Sequence, residues 1–149
     1  MKLSTRADTD ASIETTFAAF TDFERHEYRL QRREIEISRD PTTEPVAIGC
    51  MWYSKAFWQG RTYTTQSELV TLERPQGLAI ETICRGVNCL SVIDLLPLPD
   101  GGTRIFVSLD LSPTTLSSRL RVQALRLARG RLSAKLAARV GEFASEIGC

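Results

Sequence analysis

From Pro113 to Cys149 the chain reads as one long helical segment, and most of what lies between the opening helices and that point reads as short strands. At about 100° per residue, Val122, Leu125, Leu132, Leu136, Val140, Phe143 and Ile147 fall on a single stripe. A helix with so long an apolar stripe must bury it against another element. Consecutive strands joined by short turns make an antiparallel sheet, which has an apolar face to offer. This order of parts predicts an α+β fold in which a sheet grips the late helix around a cavity.

Ahead of the strands, Lys2 to Arg6 alternates as an opening strand. Asp10 offers an N-cap to a helix carrying Ile13, Phe17 and Phe20 at i, i+4 and i+7. Phe23 to Leu30 reads as a second short helix, rich in charge through Glu24, Arg25, His26, Glu27 and Arg29, with little apolar surface. Glu34 to Ser38 alternates as a strand with Ile35 and Ile37 inward, and Arg39 to Ala47, marked by Pro41 and Pro45, is a loop.

In the later strands a charged side chain identifies the outer face. Lys55 puts Trp52, Ser54, Ala56 and Trp58 on the concave side of Cys50 to Trp58, and Glu68 does the same for Tyr63, Thr65, Ser67 and Leu69 in Arg61 to Leu72. Glu81 and Arg85 leave Ile80, Thr82 and Cys84 inward. Cys89 to Leu96 has no readable parity, because Asp94 sits among apolar residues. After the turn Asp100-Gly101-Gly102, Thr103 to Leu111 alternates with Ile105, Val107, Leu109 and Leu111 on one face.

With 149 residues, 42% hydrophobic and 25% charged, the composition is ordinary for a globular protein, and one domain over residues 1–149 is expected. No apolar run approaches the roughly 18 residues of a membrane span. Met1-Lys2-Leu3-Ser4, followed by Arg6 and Asp8, lacks the apolar stretch of a secretory signal, so the expected compartment is the cytoplasm. Cys50, Cys84, Cys89 and Cys149 form no Cys-x-x-Cys pair, and with a single histidine in the chain no metal site is expected. A hairpin through Arg85-Gly86-Val87-Asn88 is one arrangement that sets Cys84 and Cys89 side by side, and the sequence leaves it open; the cysteines are read as reduced thiols.

Catalytic groups are sparse. His26 reads as a solvated or capping histidine, with a general base at a pocket mouth as the alternative. A serine or cysteine nucleophile has no other imidazole to activate it. The carboxylate pairs Glu34 with Glu36 and Asp10 with Glu14 read as strand-face and helix-start charges. Asp100-Gly101-Gly102 precedes a strand and not the helix that a phosphate loop requires. No catalytic residue and no cofactor is assigned.

The late helix concentrates positive charge. Arg119, Arg121, Arg126, Arg129, Arg131, Lys135 and Arg139 stand against Glu142 and Glu146, a local charge of +5 against −4 for the preceding chain. A second stripe, Leu116, Leu120, Leu127 and more weakly Ala134, lies opposite the first, and Gly130 is a candidate kink between the halves. The preferred reading is that these leucines cover the pocket mouth or pack under loops. The alternative is a peripheral membrane or protein contact. Nucleic acid is not expected as a partner, because the basic residues are spread around the helix and the strand aromatics face inward.

Several of these features together resemble a known superfamily: the opening around Ala7, Ile13, Phe17 and Asp22, Gly49 before an aromatic strand, Glu73-Arg74-Pro75 before Leu78, Gly102-Thr103-Arg104 entering a strand, and the final helix. They are similar to the START-like superfamily, also called SRPBCC or the Bet v 1 helix-grip fold, and nearest its bacterial polyketide cyclase/dehydrase-like branch. The resemblance implies a seven-stranded antiparallel sheet wrapped around a long C-terminal helix, with two short helices after strand 1. It also implies a pocket for an apolar or amphipathic small molecule, without naming an activity.

The expected ligand-binding set joins that implied pocket to the charge-derived parity: Trp52, Ser54, Trp58, Tyr63, Thr65, Ser67, Ile80, Thr82 and Cys84. Two indoles would stack on a ring or chain while hydroxyls orient a polar head. The expected function is non-catalytic carriage or sensing of a lipid, quinone or polyketide-like molecule. The alternatives are a cyclase or dehydratase acting by holding its substrate in shape, or an interaction module using the arginine-rich helix. A monomer and a weak dimer are both compatible with the sequence.

Overall fold

The computed structural model describes residues 1–148. Its elements are β1 (Lys2–Thr9), α1 (Ile13–Phe20), α2 (Phe23–Arg32), β2 (Glu36–Asp40), β3 (Met51–Trp58), β4 (Arg61–Glu73), β5 (Gly77–Cys84), β6 (Val87–Pro97), β7 (Thr103–Pro113), α3 (Leu116–Leu127) and α4 (Arg129–Gly148). The strands form one seven-stranded sheet in the order β1-β7-β6-β5-β4-β3-β2, antiparallel throughout. Every neighbour except the β1–β7 pair is joined directly in sequence, and β1 closes the meander from the other side. Among the described residues no helix is long and apolar enough to cross a membrane.

Cross-strand register carries one face through the whole sheet, since directly opposed residues share a side. Trp52 opposes Ser67, Ser67 opposes Thr82, and Thr82 opposes Cys89. Leu69 opposes Ile80, which opposes Ser91, which opposes Leu109. The charge-derived faces of β3, β4 and β5 therefore form one concave surface. β6, unreadable from sequence, presents Cys89, Ser91, Ile93 and Leu95 to it and turns Asp94 outward.

Local chemistry explains where the elements begin and end. Ser12, two residues beyond the expected Asp10, caps α1 by accepting from the Thr15 N–H at 3.2 Å. Asp22 caps α2 through the Arg25 N–H at 3.3 Å. That helix ends with Glu34 in the left-handed region at φ 63°, Glu34 N–H bonding Gln31 O and Ile35 N–H bonding Leu30 O. This double closure satisfies the last carbonyls and consumes Glu34 and Ile35. The strand expected over Glu34 to Ser38 consequently runs from Glu36 to Asp40, and Arg39 belongs to a strand instead of a loop.

The hairpin at residues 84–87 fixes the register of its cysteines, which the sequence left open. Arg85 at φ 50° and Gly86 at φ 77° form a two-residue turn, which opposes Cys84 to Val87 and Cys89 to Thr82. Cys50, Cys84 and Cys89 are free thiols, and Cys149 lies outside the described residues. A Cβ on Gly86 would stand 3.1 Å from Ser118 Cβ and 3.2 Å from Thr115 Oγ1. Gly86→Ala therefore combines positive-φ strain with a clash against α3. It is expected to lower stability by about 1–2 kcal/mol, read from urea unfolding midpoints.

The expected single C-terminal helix is two. Pro113 ends β7, and Thr115 caps α3 in a reciprocal box with Ser118. Ala128, at φ −98° and ψ 14°, donates to Leu125 O, after which α4 starts afresh. The two halves serve different surfaces: Val122 of α3 is buried over the end of β7 and β6, while α4 lies along β1. One straight helix cannot follow both directions. The stripe from Val122 to Ile147 is the buried or half-buried side of both helices, as expected. The second stripe does not pack. Leu116, Leu120 and Leu127 are 80%, 69% and 92% exposed, so the covering role expected of them is not observed.

Candidate functional site

Phe17, Val46, Leu69, Leu78, Leu95 and Ile105 fill one end of the concave face under α1 as close-packed core. Toward the middle of the face, α2 and α4 stand away from the sheet and leave a cavity of about 440 Å³. Its floor is Ile37, Trp52, Ser67, Leu78, Ile80, Ile93 and Val107, one or two side chains from each of β2 to β7. Its roof is Phe20, Phe23 and Leu30 with His26, Glu27 and Arg29, closed on the other side by Arg139, Val140 and Phe143 of α4. Phe20 packs against Phe143 with ring centroids 4.7 Å apart and planes tilted by 49°, and Phe23 against Trp52 at 5.0 Å and 44°. Aromatic pairs thus tie both helices to the rim of the cavity.

Three polar groups on the wall are already engaged. Trp52 Nε1 donates to Glu27 Oε2 at 2.8 Å, and Arg39 Nε lies 3.0 Å from the same oxygen. Arg39 Nη1 also donates to Glu44 at 2.7 Å. Arg39 and Glu27 retain only 10% and 17% side-chain exposure, so the pair holds two charges largely out of water. The Glu44 and Glu27 carboxylates hold the Arg39 guanidinium above its ordinary pKa, against the opposing effect of burial. Burial pushes the nearby Cys50 thiol up, which leaves it protonated and unreactive at neutral pH. His26 Nε2 donates to the carbonyls of Ala19 and Phe20, each at 3.1 Å, and its ring packs against Phe143. These are the last residues of α1, so His26 caps that helix and holds α2 against it.

Of the nine residues expected to bind ligand, Trp52, Ser67 and Ile80 line the cavity. Ser54, Trp58, Tyr63, Thr65, Thr82 and Cys84 share the concave face but are absent from the cavity wall. Parity along a strand identifies a face and not the stretch of it that helices roof. The hydroxyls also satisfy one another: Ser54 bonds Thr65, and Ser67 bonds Thr82 at 2.8 Å. Trp58 lies at the exposed tip of the β3–β4 hairpin, its ring 6.3 Å from Tyr63, over which Arg85 sits at 5.3 Å.

The lining residues missed in the sequence are mainly those of α2. Phe23, His26, Glu27 and Leu30 occupy i, i+3, i+4 and i+7, an inward stripe disguised because two of its four members are polar. Arg39 does not line the cavity but pairs with Glu27, which does; that partnership was hidden because the Arg39 strand begins and ends later than the isoleucine pattern suggests.

Neither a protein-family model nor a curated protein matches the chain. Solved structures do match. The Mll3558 protein from Rhizobium loti aligns over 90% of this chain and 95% of its own, with TM-score 0.61 and 17% identity. TTHA0849 from Thermus thermophilus aligns over 99% and 97%, with TM-score 0.60 and 16% identity. Ara h 8.0201 aligns over 87% and 90%, with TM-score 0.60 and 13% identity. Likeness at these identities is likeness of fold. The seven antiparallel strands curved around α4, with two short helices after β1, are the Bet v 1 helix-grip fold.

Proposed function

We propose that this chain binds a hydrophobic or amphipathic small molecule in the cavity between its sheet and α2 and α4, as a non-catalytic carrier or sensor. The observation that carries this reading is a cavity of about 440 Å³ whose wall is mainly aromatic and aliphatic. That volume lies in the range of small-molecule sites. The wall's two acid–base candidates are spent on protein structure: Glu27 on Trp52 and Arg39, and His26 on the end of α1. This favours binding over acid–base chemistry. A lipid, a quinone or a polyketide-like molecule fits such a lining, its ring or chain lying on Trp52 and Phe23. Among the described residues the three cysteines are free thiols, which suits a cytoplasmic setting.

The test is native mass spectrometry of protein purified gently from its own host, followed by denaturing extraction of bound molecules. A stoichiometric apolar or amphipathic ligand is the expected result. Ile80→Phe should fill the cavity from its floor and lower occupancy at least tenfold, while changing stability by less than about 1.5 kcal/mol. Protein that is repeatedly empty, and whose tryptophan emission ignores a panel of hydrophobic ligands, would overturn the proposal.

A further inference from the structure

We propose a second binding surface, separate from the cavity: one end of the molecule docks on a lipid bilayer bearing anionic headgroups. Three structural units meet there. The β3–β4 hairpin tip exposes Phe57 and Trp58, 66% and 62% accessible. The β5–β6 turn lies beside it, because Trp58 packs near Tyr63 and Arg85 covers the Tyr63 ring. Helix α3 adjoins that turn, with Arg121 donating to Arg85 O and Thr114 to Gly86 O. Rings and leucines therefore share one end of the sheet.

The outer face of α3 supplies the apolar part. At about 100° per residue, Leu116, Leu120 and Leu127 lie within about 40° of arc. The side facing the sheet is roughly opposite, where Ser118 and Val122 are 0% and 2% exposed. Arg119 and Arg126 lie along one edge of the leucine stripe, with stems long enough to lie along apolar surface while their heads reach phosphate. A short helix with leucines on one side, arginines beside them and a tryptophan nearby is built to lie in a headgroup layer.

Charge selects the occupant. From Leu111 to Ala138, short of the cavity residue Arg139, the sequence holds six basic residues and no acidic one. Of the acids toward this end, Asp110 lies 4.0 Å from the N-terminal ammonium, Glu36 opposes Lys55 across β2 and β3, and Glu68 and Glu81 oppose each other in the same cross-strand row as Asp110, away from α3. A second copy of the chain would bring like charges together over the same leucines, which disfavours self-association. A nucleic acid would satisfy the arginines and leave the leucines in water. An anionic bilayer satisfies both.

The experiment is co-sedimentation of the whole chain with vesicles of phosphatidylcholine alone and of phosphatidylcholine mixed with phosphatidylglycerol. Binding to the mixed vesicles is expected, at least about tenfold weaker on the neutral ones and weakened by salt. Trp58 should enter the interface, so a blue shift of tryptophan emission is expected that Trp58→Phe abolishes. The combined variant Leu116→Ser, Leu120→Ser, Leu127→Ser alters only exposed side chains and should lose at least tenfold in binding, with an unchanged urea midpoint. Ile80→Phe should bind vesicles as the unaltered protein does, which separates this surface from the cavity. Three results would overturn the proposal: no binding to the mixed vesicles, equal and salt-insensitive binding to both kinds, or a leucine-dependent dimer in solution that excludes vesicles.

Discussion

Trp52→Ala is expected to be the most damaging single substitution in the cavity, lowering stability by about 3–5 kcal/mol and abolishing ligand retention. The indole is 6% exposed and does three things at once. Its ring meets Phe23 at 5.0 Å and so fastens α2 to the sheet. Its Nε1–H donates to Glu27 at 2.8 Å, and its face forms part of the cavity floor. Truncation removes a large buried ring and takes a hydrogen bond from a carboxylate that has little contact with water. Trp52→Phe separates these effects: an aromatic ring against Phe23 remains while the N–H is lost, so a smaller loss of about 1 kcal/mol is expected. Urea unfolding of both variants, with native mass spectrometry of the same samples, decides the matter. A Trp52→Ala protein within about 1 kcal/mol of the unaltered chain would mean that α2 is held by other contacts.

What could be read in the sequence followed from short-range periodicity. One charged residue in mid-strand, Lys55 or Glu68, was enough to orient its strand, and register then carried that orientation across the sheet. The inward stripe of the late helix was legible for the same reason, because seven apolar residues at helical spacing leave one solution. The break at Ala128 was not. It arises because α3 and α4 follow different strands, and a helical repeat carries no information about the path of the surface beneath it. The cavity was legible as a face and illegible as a place. Thr65 and Ser67 are equivalent in the alternation, yet only Ser67 lies beneath the roof. That roof depends on where α2 ends, which is decided by the left-handed Glu34 closing the helix.

The same reasoning places the second large effect at Arg39, which the pattern of isoleucines had left outside a strand. Arg39→Leu keeps the bulk of the stem but leaves Glu27 with its charge, 17% exposed and bonded only to Trp52. Removing one partner of a mostly buried ion pair costs more than the pair was worth, because the remaining charge keeps its desolvation penalty. A loss of about 3 kcal/mol is expected from urea unfolding. Glu27→Gln alone should cost less, since the amide oxygen still accepts from Trp52 and Arg39 retains Glu44. Combined with Arg39→Leu it should restore a substantial part of the loss, because no unpaired carboxylate then remains on the wall. Strictly additive losses in the double variant would show that Glu27 and Arg39 are not energetically coupled. A favourable coupling would identify the pair as the device that lets a polar helix face roof an apolar cavity. Glu27 sits on that face because Arg39 and Trp52 satisfy it from the sheet, so the charge that disguised α2 as a surface helix is also what fastens it over the site.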